Sequence, residues 1–122
     1  MSLKVEDLIA ESGVKNIDKE CSDNDILEFG DFCDPWELVG TYLQLNQAEI
    51  SAIAEDYRRV SLRRLGVLQK WKSKLAFEAT YRVLIDALLK SGNADQALKV
   101  CQILAQREGR PQIHHYVPAA SC

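Results

Sequence analysis

The strongest constraint on the fold of this chain is an apolar stripe at helical spacing in residues 77–91. Apolar side chains recurring at i, i+3, i+4, i+7 and i+8 share one face of a helix with 3.6 residues per turn. Gly92 follows, and a glycine there is the usual left-handed stop. We therefore predict an amphipathic helix over Phe77–Ser91 that must bury one face. The stripe consists of Tyr81, Leu84, Ile85, Leu88 and Leu89.

The first third of the chain alternates short helical and polar stretches. Residues 3–12 predict a short helix with its apolar face on Val5, Leu8 and Ile9, ended by Gly13. Residues 14–22 are interpreted as a polar linker. Residues 23–29 begin with acidic side chains, which suit the positive end of a helix dipole.

Two capping signals introduce the next two helices. Asp34 is predicted to cap a helix that has Pro35 in its first turn. Asn46, with Glu49 three residues later, resembles a capping box and opens another helix. The apolar faces of these two helices are Trp36, Val39 and Leu43, and Ile50, Ile53, Ala54 and Tyr57.

The remaining stretches complete a helical pattern. Arg58–Arg64 has little apolar content and is interpreted as a loop with a short helix or a single turn. A helix with Leu68, Trp71 and Leu75 on its buried stripe follows. Asn93 is predicted to cap the last helix. The inner face of that helix is Ala97, Val100, Cys101 and Leu104.

Five or six amphipathic helices joined by short connections imply an antiparallel bundle. The 122 residues fit one domain and contain no β-hairpin signal and no internal repeat. Trp36 and Trp71 are expected to pack in the core, since both stand on apolar stripes. From Gly109 onward helical signals stop, and we expect a flexible tail over 109–122.

Charge is divided unevenly along the chain. Residues 1–57 hold three Lys/Arg against fourteen Asp/Glu, a net charge of −11, and residues 58–122 hold twelve against four, a net charge of +8. A folded domain of this kind is expected to have an acidic and a basic side, which attract copies or relatives head to tail. The alternative is that both sets only keep the surface hydrated.

Four segments, in order and spacing, resemble the death-domain family. Residues 36–45, WELVGTYLQL, resemble its W-x-x-L-[AG]-x-x-L-G-L helix, and residues 46–50, NQAEI, are similar to its S-x-x-E-I helix entry. Residues 68–71, LQKW, are similar to its L-L-x-x-W, and residues 79–88, ATYRVLIDAL, resemble its A-T-x-x-x-L-x-x-A-L. The resemblance runs from about Asp23 to about Gln106. Gln44 stands where the family usually has glycine, and Arg58–Arg64 is unusually basic.

The resemblance implies an all-α fold, a six-helix antiparallel Greek-key bundle of the death-domain type. The short N-terminal helix is additional to it. The expected organisation is an N-terminal extension over 1–22, the death domain over 23–108 and the tail over 109–122. The resemblance also implies a non-enzymatic module that assembles with other death-domain proteins, and with copies of itself, in apoptotic or innate immune signalling. Contacts of this kind that do not close give open assemblies.

The charged side chains are the predicted partner-binding residues, because opposed charged patches commonly meet between neighbours in the family. Single exposed pairs contribute about 0–1 kcal/mol, so several must act together. The acidic set lies on the helix after Asn46, and the basic set lies around the following helix. The predicted residues are Glu49, Glu55, Asp56, Arg58, Arg59, Arg63, Arg64, Lys70, Lys72 and Lys74.

Other function classes receive less support. Nucleic-acid binding is not expected, since the isoelectric point is about 5.4. The adjacent pair His114–His115 with Cys122 lacks metal-site spacing, and no cofactor or catalytic motif is found. The absence of a signal-like N-terminus and of a long apolar run favours a cytoplasmic protein without membrane insertion. A second hypothesis is a monomeric regulatory module that docks within its own, longer chain.

Overall fold

The computed structural model describes residues 3–109, and these form an all-α bundle. The all-α architecture predicted from the sequence is confirmed. Two short 3₁₀ turns, Gly30–Phe32 and Ala76–Glu78, lie between helices. The seven α-helices of this described part are α1 Val5–Ser12, α2 Asp23–Phe29, α3 Trp36–Tyr42, α4 Gln47–Asp56, α5 Val60–Leu75, α6 Tyr81–Lys90 and α7 Ala94–Gly109.

The core lies between α3, α5, α6 and α7. Helix α6 packs on α7 and α3, and α5 packs on α3, α4 and α2. Trp71 is fully buried and Trp36 nearly so, which confirms that both tryptophans are core residues. The predicted stripe of α6 is buried through Leu88, and Cys101 is buried on α7.

Local signals account for several helix ends. Asn46 accepts a hydrogen bond from the Glu49 amide at 2.8 Å, and the Glu49 carboxylate accepts one from the Asn46 amide at 2.9 Å. This reciprocal arrangement is the predicted capping box. Gly13 and Gly92 have φ of 78° and 86°, so both provide the left-handed stops that the sequence predicts.

Four sequence interpretations need correction, and the first concerns residues 60–64. The helix α5 begins at Val60 and runs for 16 residues, so most of the stretch predicted to be a loop with a short helix or a single turn is the start of a long helix. The amide of Arg63 donates to the Arg59 carbonyl, which starts the helix. Arginine and leucine are good helix formers, and the expectation of a loop gave too much weight to their charge.

The second correction concerns the start of α6. The predicted helix over Phe77–Ser91 begins instead at Tyr81, because the Thr80 side chain accepts a hydrogen bond from the Val83 amide and caps it. The chain leaves α5 at Ala76 with φ 54°, and Phe77 is 75% exposed.

The third correction concerns Asp34, which does not cap α3. The N-cap position is Pro35, and no side-chain cap bond is made there. The Asp34 carboxylate instead lies 2.6 Å from the Arg64 guanidinium. Asn93 precedes α7, where its backbone carbonyl accepts the Ala97 amide and its side-chain amide donates to the Asp34 carbonyl.

The segment between α1 and α2 is packed against the bundle. It has no helix, as the sequence suggests, but it is not a solvated linker, since Val14 and Ile17 are each 1% exposed. Its backbone carbonyls at Ile17 and Lys19 accept the amides of Arg82 and Tyr81, the first turn of α6. The side chains that residues 3–22 bury in the common core are Val5, Leu8, Val14, Ile17 and Cys21.

Candidate partner-binding surface

The connection from α4 to α5 carries four charged side chains in a short span. Helix α4 ends at Asp56, Tyr57 is extended, and Arg59 occupies the N-cap position of α5. We call Glu55, Asp56, Arg58 and Arg59 the α4–α5 edge. All four are exposed, and none lies in an ion pair with any residue of the range 3–109.

The backbone beneath the edge is held by Arg63. Its Nε donates to the Tyr57 carbonyl at 2.7 Å, and its Nη2 donates to the Ala54 carbonyl at 2.9 Å. The guanidinium also lies 5.4 Å from the centroid of the Trp36 ring. Arg63 therefore satisfies carbonyls at the end of α4 that have no partner within the helix. Its two hydrogen bonds hold the backbone that carries the four edge side chains.

Two exposed apolar side chains continue the edge onto α5. Val60 is 46% exposed and Leu62 is 43% exposed, one and three residues beyond Arg59. Protein-binding surfaces commonly combine an apolar centre, from which water is excluded, with a polar rim. Exposed apolar side chains next to exposed charges have this composition.

Glu49 and Lys74 are paired with each other across α4 and α5. Their Oε1 and Nζ atoms lie 2.9 Å apart, and Lys74 also donates to the Gln44 carbonyl at 2.9 Å. The hydrogen bond from the Asn46 backbone and that from Lys74 hold the pKa of the Glu49 carboxyl below its usual value. The contacts of Glu49 with Asn46 and of Lys74 with Gln44 stabilise the turn that joins α3 to α4.

Arg64 and Lys72 are also engaged within the chain. Arg64 pairs with Asp34, and that hydrogen bond raises the pKa of its guanidinium. Lys72 lies 3.7 Å from Glu20 and 3.4 Å from Asp23, so it joins α5 to the start of α2. Lys70 is exposed on α5 and has no ion-pair partner within the described range.

The predicted partner-binding residues therefore divide into two groups. The first group forms ion pairs or side-chain hydrogen bonds within the chain and consists of Glu49, Arg63, Arg64, Lys72 and Lys74. The second group, the α4–α5 edge and Lys70, forms no ion pair within residues 3–109. The sequence pattern could not separate these groups, because pairing partners such as Asp34 and Arg64 are distant along the chain.

A buried polar cluster escaped the sequence analysis. Asp25 on α2 is 3% exposed, accepts a hydrogen bond from the Tyr81 hydroxyl, and pairs with Arg107 at 2.6 Å. Burial raises the pKa of the Asp25 carboxyl, but hydrogen bonds from Tyr81, the Ser22 backbone and Arg107 outweigh it and hold the pKa below its usual value. The sequence signals at Asp25 are an acidic residue in the first turn of a helix and the capping-box spacing from Ser22, and neither indicates a partner on α6 or α7. This cluster joins α2, α6 and α7.

The three cysteines of the described part are free and buried. Burial raises the pKa of the Cys21 and Cys33 thiols to about 12 and that of Cys101 to about 11. A thiol, not a thiolate, is present at neutral pH, and the thiol is the poor nucleophile. Among residues 3–109 no group of three or more His, Cys, Asp or Glu is placed to hold a metal ion. His114, His115, Cys122 and the predicted tail beyond Gly109 lie outside the described residues.

In the range 3–109, no helix combines the length and the apolar character needed to cross a bilayer. No curated protein and no solved structure matches the chain. The family model described as "Death domain" matches residues 20–104, well over half of the chain. The match covers α2 to α6 and most of α7, including the α4–α5 edge. The chain therefore belongs to the death-domain family, whose members are protein-interaction modules of signalling.

Proposed function

We propose that this domain assembles with other death domains, and with copies of itself, through the α4–α5 edge. The observation that carries the proposal is the exposure of Glu55, Asp56, Arg58 and Arg59 without ion-pair partners in the described part of the chain. Charges that stabilise no internal contact remain available to an oppositely charged surface. Lys70 is a further candidate on the same helix as Val60 and Leu62.

The contacts of Arg63 support binding with a reduced loss of entropy. Arg63 donates to the carbonyls of Ala54 and Tyr57, and we expect these bonds to restrict the edge backbone before a partner arrives. Preorganised surfaces lose less conformational freedom on association. Complementary charges also raise the rate of encounter and select against wrong partners.

Apoptotic or innate immune signalling in the cytoplasm is the setting that we propose, from the family resemblance. The module acts in it without catalysis, cofactor or nucleic acid. In this setting the domain gathers other proteins by binding their death domains.

The test is a reversal of the acidic half of the edge, Glu55→Arg with Asp56→Arg, in the full chain. Binding to a panel of purified death domains, and to itself, is measured by calorimetry at low and high salt. The matched control reverses Asp31 and Glu78, which are exposed, lie in 3₁₀ turns and have no ion-pair partner in residues 3–109. Association that survives the edge reversal unchanged overturns the proposal, whereas loss in the edge variant alone supports it.

A second candidate function is a monomeric regulatory module that docks within a longer parent chain. The packing of residues 14–21 against α6 favours it, because this domain already binds a flanking segment of its own chain. It predicts a monomer at every salt concentration and no binding to other death domains. The same calorimetry separates the two candidates.

A further inference from the structure

The order of charges along the α4–α5 edge is unfavourable for the dipoles of both adjacent helices. Glu55 and Asp56 occupy the last turn of α4, which has no basic residue. Arg58 and Arg59 precede the first turn of α5, which has no acidic residue. A helix C-terminus carries partial negative charge and an N-terminus partial positive charge, so each pair meets a dipole of its own sign.

At the end of α4 the Arg63 guanidinium offsets part of this charge, because it binds the Ala54 and Tyr57 carbonyls. The four side chains are exposed and form no ion pair within residues 3–109. Elsewhere α5 follows the usual rule, with Lys72 and Lys74 in its last turn. A local rule that is broken at exposed side chains without ion-pair partners is typical of a functional surface.

The edge is complementary to itself under a twofold rotation. Two acidic residues precede Tyr57 and two basic residues follow at Arg58 and Arg59. When two copies face each other in antiparallel orientation, with the axis near Tyr57, the acidic pair of each copy lies opposite the basic pair of the other. Such an isologous contact uses the same surface on both molecules and closes as a dimer.

Resting on the proposed function, we propose that the partner of the α4–α5 edge is the same edge of a second copy, in a closed twofold dimer. Val60, which is 46% exposed and directly follows Arg59, provides the apolar part of the contact. The surface is small, so the dimer is weak, is populated at high protein concentration and dissociates at high salt. This geometry differs from a head-to-tail contact, which would leave one edge free to extend the assembly.

The test is a variant with the order of charges exchanged: Glu55→Arg, Asp56→Arg, Arg58→Glu and Arg59→Glu in the full chain. Its net charge equals that of the native chain, and its charges now suit both helix dipoles, so folding is not at risk. Self-association is followed by sedimentation equilibrium at low salt. In a twofold contact the exchanged chain dimerises with itself as the native chain does. When the exchanged chain and the native chain are mixed, we expect at least about tenfold less heterodimer than homodimer. In the heterodimer like charges face each other.

Two half-reversed variants complete the experiment. Glu55→Arg/Asp56→Arg and Arg58→Glu/Arg59→Glu should each be monomeric, and their equimolar mixture should dimerise. An exchanged chain that stays monomeric where the native chain dimerises overturns the twofold contact, and so does a native chain that never dimerises. In either case, retained binding of the native chain to another death domain leaves the proposed function standing.

Discussion

Arg63 donates from Nε to the carbonyl oxygen of Tyr57 at 2.7 Å, and this bond fixes the chain where α4 ends. Its Nη2 reaches the Ala54 carbonyl at 2.9 Å. The sequence predicts that Arg63 contacts a partner. In the structure its guanidinium binds backbone carbonyls of the chain itself, next to the α4–α5 edge. Its contribution to binding is therefore expected to be indirect.

The variant Arg63→Lys keeps the charge but not the two-carbonyl geometry. We expect the free energy of unfolding to fall by about 1–2 kcal/mol, since one hydrogen bond to a charged donor is lost. We also expect self-association to weaken while its salt dependence stays the same, because the edge charges are unchanged. Urea unfolding and sedimentation measure the two effects. A variant with native stability and native association would show that Arg63 does not hold the edge.

The segment before the family match is expected to be part of the folding unit. A chain that begins at residue 20 loses Val5, Leu8, Val14 and Ile17 from the core. Burial of each such side chain contributes about 1.5–3 kcal/mol, and the sum approaches the whole stability of an ordinary domain. The truncated chain should lack a cooperative thermal transition by circular dichroism.

A milder variant tests the same point without truncation. Ile17→Ala should reduce the free energy of unfolding by about 2–5 kcal/mol, as a buried large-to-small change does. If both the truncation and this variant unfold at the native temperature, the N-terminal segment is an independent appendage.

Gln44 has φ 74°, a conformation that favours glycine. This angle explains why the family usually has glycine at the matching position. Gln44→Gly should raise the free energy of unfolding by up to about 1 kcal/mol, since the strain is removed. The contact from Lys74 is retained because it is made to the backbone carbonyl. Gln69→Gly, on the exposed face of α5, is the control, and it should lower stability by about 1 kcal/mol.

Acid should destabilise the fold through Asp25. The pKa of its carboxyl is lowered in the folded state, so its contribution is complete above the unfolded pKa of about 3.9 and is lost as pH falls through the folded pKa. Asp25→Asn should lower stability at neutral pH by about 2–4 kcal/mol and flatten the stability profile below about pH 4. Urea unfolding at several pH values measures both effects, and a profile that keeps the native slope would contradict this role.

The helices could be predicted because their signals are local. Asn46 with Glu49, Gly13 and Gly92 each act within a few residues, and all three behave as expected. The start of α6 was misplaced because the chain turns at Ala76, a residue type that carries no turn signal. The candidate partner-binding surface was harder to predict, since exposure and pairing are set by residues far apart, such as Asp34 with Arg64 and Asp25 with Arg107.

The most direct test of binding through the α4–α5 edge is sedimentation of the full chain across protein concentration, at low and at high salt. The Glu55→Arg/Asp56→Arg variant is measured beside it. We predict a mass that grows with concentration at low salt, returns to the monomer at high salt, and stays monomeric in the variant. Association of the native chain and the variant to the same extent would contradict the assignment of the α4–α5 edge as the binding surface.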